Sequence, residues 1–143
     1  MRLSFCLTLI LLLAMPVLAQ DQPPPQAPRW RIGDDLIGTS WRAETIRGEP
    51  VEDPTKATID FLPGDHVRGQ VACNRYVGPF ASRADRITFG PLRISRLKCG
   101  SGTPLQVTFI DMLHRASRVV LDDDRLELQP VNGPPSRFVR RVE

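Results

Sequence analysis

Histidine, cysteine and lysine are all scarce in this chain of 143 residues: two, three and two respectively. The scarcity of histidine narrows the chemistry first. His66 and His114 form no His-x-x-x-His spacing, and no cysteine pair flanks either one, so no metal-ligand set is legible. Neither lies within a few residues of a cysteine, so a nucleophilic thiol has no base nearby in sequence. The reading is no catalytic residue, no metal and no cofactor. Charge of one sign is lacking as well, since the formal net charge is only +3. Phosphate backbones need a clustered basic excess, so nucleic acid is excluded as the expected partner. Seventeen of the 19 basic residues are arginine, which a GC-rich genome accounts for more simply than a function does. Arg137, Arg140 and Arg141 form the one local basic group in the sequence and read as a solvated strand edge. The acidic run Asp122-Asp123-Asp124 lacks the spaced oxygens and glycine of a calcium loop, and reads as a hairpin turn.

Long hydrophobic runs are absent but for one. Arg2 precedes an almost wholly apolar stretch over residues 7–13, and Val17-Leu18-Ala19 supplies small residues at its end. That is the pattern of a secretory signal peptide. A membrane anchor needs about 20 apolar residues to cross the hydrocarbon layer, and this stretch is shorter. Cys6 lies too early to be an acylated first residue. The expectation is cleavage after Ala19, no membrane span thereafter, and a mature chain that is periplasmic or secreted. Arg2 is the one charge lost, which leaves 18 basic residues against 16 acidic ones. Residues 20–35 carry Pro23, Pro24, Pro25 and Pro28 and read as an extended linker. Residues 36–142 then form one domain.

Cleavage would remove Cys6 and leave Cys73 and Cys99, an even number in an oxidising compartment. In "HVRGQVACN" the apolar positions Val67, Val71 and Cys73 share one strand face, so Cys73 is expected to point at the core. In "PLRISRLKC" Leu92 and Ile94 share one phase, and Leu97 and Cys99 the other. A bulge near Ser95-Arg96 would bring Cys99 inward too. Two inward cysteines on different strands can form a disulfide. Across 26 residues it would contribute about 3.5 kcal/mol by loop entropy.

The remainder reads as short strands with one helix. Strands are expected over 39–46, 56–62, 66–73, 76–82, 86–89, 92–98, 124–130 and 136–142, with turn chemistry at "PGD" and "NGPP". The helix is expected over 103–116, with Thr103 as its N-cap and Pro104 at its first position. Leu105, Phe109, Met112, Leu113 and Ala116 form its apolar stripe, which places His114 on the solvent side. His66 follows a turn and is expected on the outer face. The fold class is mainly β, a small antiparallel barrel or rolled sheet closed by one α-helix, because closure removes exposed edges.

The segments "LIGTSWRAETIRGEPV", "ATIDFLPGDHVRGQVACNRYVGPF", "ITFGPLRISRLKC" and "RLELQP" together resemble the META domain, also called the HslJ-like heat-shock domain. Leu36, Gly38, Thr39 and Trp41 match its opening. Gly69, Cys73, Asn74, Tyr76 and Gly78 match its central signature, where Ala72 replaces the usual glycine. Ser95 and Cys99 stand where the family often has threonine and cysteine. Gln106 and Val107 occupy the region where its helix usually carries a glutamate. The resemblance implies a lipocalin-like barrel in a secreted or envelope-attached protein, with links to heat shock and stress response and no catalytic chemistry. Physically, the glycines would allow close backbone approach, Asn74 would bridge a turn through its amide, and Tyr76 would pack its ring and bond its hydroxyl. The expected function is that of a non-catalytic envelope stress-response or binding module, monomeric, with an apolar small molecule or an envelope protein as partner. The alternative is a protein inhibitor of an envelope-targeting hydrolase, plugging an active site with residues 100–104 or 132–135. An enzyme would need Cys73 or a serine brought to His66 or His114.

Overall fold

A computed structural model describes residues 32–142. The expected signal peptide and most of the linker lie outside the described residues. Two α-helices, α1 (Ile32–Leu36) and α2 (Thr103–Arg115), accompany ten strands. These are β1 (Ser40–Ile46), β2 (Glu49–Pro50), β3 (Thr58–Leu62), β4 (His66–Val71), β5 (Asn74–Arg83), β6 (Arg86–Phe89), β7 (Arg93–Ile94), β8 (Ala116–Asp122), β9 (Arg125–Pro130) and β10 (Ser136–Arg140). Eight of them close a ring in the order β1-β3-β4-β5-β6-β8-β9-β10, with β10 returning to pair β1. Every pairing is antiparallel, and the short β2 and β7 attach to β1 and β5. The ring is the closed barrel that the alternating strands called for, and it leaves few free edges.

The inward positions fill the barrel. Trp41, Phe61, Phe109, Phe138, Ile59, Ile87, Leu126 and Leu128 are all fully buried. Phe61 meets Phe80 edge-on with ring centroids 5.1 Å apart, and Phe109 lies 5.6 Å from Tyr76 and 6.5 Å from Phe138. Each such ring contributes about 2–3 kcal/mol of burial and leaves no room for a guest. The side chains Phe61, Phe89 and Phe109 therefore pack the interior shut. The two helices lie at opposite ends of the barrel. α1 brings Leu36 in beside the end of β5, while α2 lowers Phe109, Met112 and Leu113 between β1, β4 and β6. No helix among the described residues is long and apolar enough to cross a membrane.

Several expectations change. α1 (Ile32–Leu36) makes a short helix of residues 32–35, which were expected to be extended linker. β8 was not expected. Only Ala116 and Val119 of its residues are buried, and its register shifts between Ala116 and Arg118, which erases the period-2 signal. The strand expected over 92–98 shrinks to Arg93–Ile94, and the rest is loop. Thr103 does not cap α2. Gly102 occupies the cap without a side-chain bond, because a 3-10 turn at Gly100–Gly102 feeds directly into the helix. The helix span and its buried stripe stand as expected, and His66 and His114 are both exposed.

Candidate functional site

Most of the signature residues do structural work in three clusters. At the α1 end, Thr39 Oγ1 donates to the Leu36 carbonyl (2.6 Å) and accepts from Trp41 Nε1 (2.7 Å). Trp41 is thereby satisfied while fully buried, and the Arg140 guanidinium lies 4.7 Å from its ring centroid. In the β3-β4-β5 wall, the Tyr76 hydroxyl donates to the Thr58 carbonyl (2.7 Å) across the strand between them. That strand is β4, and it passes at Gly69. A Cβ there would sit 2.0 Å from the Thr58 carbonyl oxygen and 2.8 Å from the Tyr76 ring. Gly78 is similarly tight, since a Cβ would come within 2.6 Å of Leu92.

Burial pushes the Tyr76 phenol well above the ordinary tyrosine value of 10.0, and the nearby Asp60 carboxylate adds to the shift. Tyr76 is the single tyrosine in the chain, so its titration is readable without assignment. A folded-state pKa above the unfolded one gives stability that is complete below the ordinary value and is lost as pH rises past it. Absorbance at the tyrosinate band is expected to stay flat until the fold itself gives way in alkali. A smooth titration near the ordinary value, with the fold intact, would contradict the buried phenol.

Asn74 is the centre of the third cluster. It is buried, and its Oδ1 accepts from Ser95 Oγ (2.7 Å) and the Leu97 N–H (2.8 Å). Its Nδ2 lies within bonding distance of the Leu97 carbonyl (3.0 Å), Cys99 Sγ (3.0 Å) and Gln106 Oε1 (2.7 Å). One amide thus ties residues 95–99 and α2 to β5. Gln106, in the region where the helix of the resembled family usually carries a glutamate, holds α2 to that amide. Cys73 and Cys99 form a disulfide alongside, with their Cα atoms 5.3 Å apart. The pairing is as expected but its setting is not. Cys73 is exposed in the two-residue turn between the paired Val71 and Asn74, and Cys99 is half-buried in a loop. Ala72 takes a left-handed φ of 53°, and that turn breaks the strand phase just before Cys73. Leu97, expected inward, is 64% exposed.

Neither histidine approaches the cysteines' chemistry. The sulfurs hold each other, and His66 Nδ1 donates to the Gly64 carbonyl at 2.6 Å. Among the described residues no group of three or more His, Cys, Asp and Glu is placed to hold a metal ion.

Two open depressions mark the outer surface. The larger, about 660 Å³, lies on the outer face of β3, β4, β5 and β7 and carries Arg68, Arg75, Arg93 and Arg141 around Asp60. The other, about 500 Å³, lies beside the disulfide, floored by Ile46, Val51 and Leu105 and rimmed by Glu49 and Glu52. The basic depression was not legible in the sequence. Its arginines are dispersed along the chain, and only the strand register gathers them. The expected C-terminal basic group is itself divided. Arg137 pairs with Glu127 (3.1 Å), Arg140 with Asp124 (3.5 Å) and Arg141 with Asp60 (3.4 Å).

The family model for the META domain matches residues 34–143. The chain belongs to the META domain family. No curated protein matches this META domain. Its fold is shared by solved structures of low identity. One is the NMR structure of a protein from Burkholderia xenovorans, 21% identical, with a TM-score of 0.65 over 90% of this chain and 100% of that one. A second NMR structure is 22% identical, with a TM-score of 0.59 over 74% of this chain and 92% of that one. The crystal structure of a DUF4847 family protein from Bacteroides vulgatus is 14% identical, with a TM-score of 0.58 over 78% and 99%.

Proposed function

We propose that this META domain is a non-catalytic binding module of an oxidising, extracytoplasmic compartment, acting in envelope maintenance under stress. It binds through its outer surface rather than its interior. The filled barrel carries this reading, because Trp41, Phe61, Phe109 and Phe138 occupy the space that a carrier would leave for a ligand. An apolar guest inside the barrel, one of the expected partners, is therefore replaced by a partner on the rim or wall. The Cys73–Cys99 disulfide supports the compartment, since such bonds persist where thiols are not kept reduced. The apolar run over residues 7–13 supports export.

The test is a mass spectrum of the protein isolated unreduced from its cells. The expected mass is that of a chain beginning near Gln20, two hydrogens below its reduced form, with no small molecule retained. Free thiols or an uncleaved N-terminus would overturn the compartment, and a retained apolar molecule would overturn the surface mode. The inhibitor reading has one observation in its favour. Val131, at the turn between β9 and β10, is 80% exposed beside the loop 132–135. Inhibition of a lysozyme or secreted protease at stoichiometric ratio would establish it.

A further inference from the structure

We propose that the outer-face groove of β3, β4, β5 and β7 binds a small soluble anion carrying two phosphate groups, held by Arg68, Arg75 and Arg93. The inference rests on the surface-binding reading above and names the ligand class it would serve. Strand register builds the site. Asp60 stands opposite Arg68, Arg68 opposite Val77, and Val77 opposite Arg93, so these four form one row across the outer face. Gln70 stands opposite Arg75 in the next row. Neighbouring strands lie about 4.8 Å apart, so the backbones of Arg68 and Arg93 are separated by about 10 Å with Val77 between them. Arg75, two residues along β5 from Val77, completes a triangle of three long cationic side chains over one short aliphatic one.

The charge balance in the groove is one-sided. Arg68 and Arg141 share the single carboxylate of Asp60, each at 3.4 Å. Arg75 and Arg93 have no acidic partner among the described residues. Four guanidinium groups thus face one carboxylate, a local surplus of three positive charges in a concave site. Of the arginines outside the groove, Arg47 and Arg115 are paired with Asp111, Arg118 with Asp85, Arg137 with Glu127 and Arg140 with Asp124. Like charges on neighbouring strands repel and lower stability, and an anion between them removes that cost. Each phosphate carries a charge of about −1.5 to −2 at neutral pH, so two of them match the surplus where two carboxylates do not. The planar guanidinium fork suits phosphate oxygens in pairs.

The chain-wide charge of +3 does not conflict with this site. Near-neutrality excludes a long nucleic-acid track, not a local cluster sized for one small ligand.

The experiment is calorimetric titration of the unreduced protein with sodium tripolyphosphate at fixed low salt, beside inorganic phosphate. Tripolyphosphate is expected to bind at least about tenfold more tightly than inorganic phosphate, because only it reaches two arginines at once. The double variant Arg75→Gln with Arg93→Gln leaves Asp60 its two partners, so the fold is kept. It is expected to lose at least about tenfold in affinity. Arg83→Gln with Arg125→Gln removes the same charge outside the groove and is expected to change affinity by less than about threefold. No tripolyphosphate binding, or equal loss in both double variants, overturns the assignment. Binding confined to vesicles containing phosphatidylglycerol also overturns it, since the site would then serve a lipid surface. None of these failures touches the reading of a filled, surface-binding barrel, which the mass measurement tests separately.

Discussion

Gly69→Ala is expected to destabilise the domain by about 3 kcal/mol or more, among the largest effects open to a single methyl group. The added Cβ would sit 2.0 Å from the Thr58 carbonyl oxygen and 2.8 Å from the Tyr76 ring, so β4 has to move away from both neighbours. Movement away from β3 lengthens the ladder bonds around Asp60 and Arg68. Movement of Tyr76 breaks its bond to the Thr58 carbonyl and leaves a buried phenol unpaired. Gly38→Ala is the control. Gly38 has a φ of +80° but nothing within 4 Å of its Cβ position, so the substitution costs backbone strain alone, about 1–2 kcal/mol. Urea unfolding of the two variants measures the difference. Equal midpoints would mean that β4 does not pass over Tyr76 as described.

The contrast between these glycines shows how far the sequence is legible. Periodicity carried the hairpins, because β4, β5, β6 and β9 alternate more buried with more exposed residues as a one-sided sheet must. The helix was legible for the same reason, since Phe109, Met112 and Leu113 recur at helical spacing and all are buried. β8 was hidden by its bulge, and the loop after β7 was hidden because its partner is a side chain. Leu97 bonds to the Asn74 amide through both its N–H and its carbonyl, and no strand pattern encodes such a contact. The disulfide partners followed from parity and compartment, while their inward phase did not hold past the turn at Ala72. The basic groove was invisible for a different reason. Arg68, Arg75 and Arg93 meet only through the register of three strands, and composition alone gave no cause to single them out.

The second large effect concerns the clamp on residues 95–99. Cys73→Ser with Cys99→Ser is expected to cost about 3.5 kcal/mol, the chain entropy released when a 26-residue crosslink is lost. Asn74→Ala is expected to cost about 3 kcal/mol, because it orphans the Leu97 N–H and the Gln106 side-chain oxygen together. Against a total of about 5–15 kcal/mol, either change alone leaves a folded barrel. The two do not act independently. Both fasten one loop to the start of β5, and Cys99 Sγ is itself within 3.0 Å of the Asn74 amide. Once the disulfide is gone, the loop is freer to leave, and the amide has less fixed geometry left to satisfy. The combined loss should fall short of the sum by about 1 kcal/mol or more in a double-mutant cycle of urea midpoints. Strict additivity would mean that the amide and the crosslink stabilise separate elements. The same loop continues from Arg93 and Ser95, which wall the basic groove. Loss of the crosslink should therefore weaken tripolyphosphate binding without altering any arginine. Affinity unchanged in the Cys73→Ser, Cys99→Ser variant would show that β7 holds its place through β5 alone.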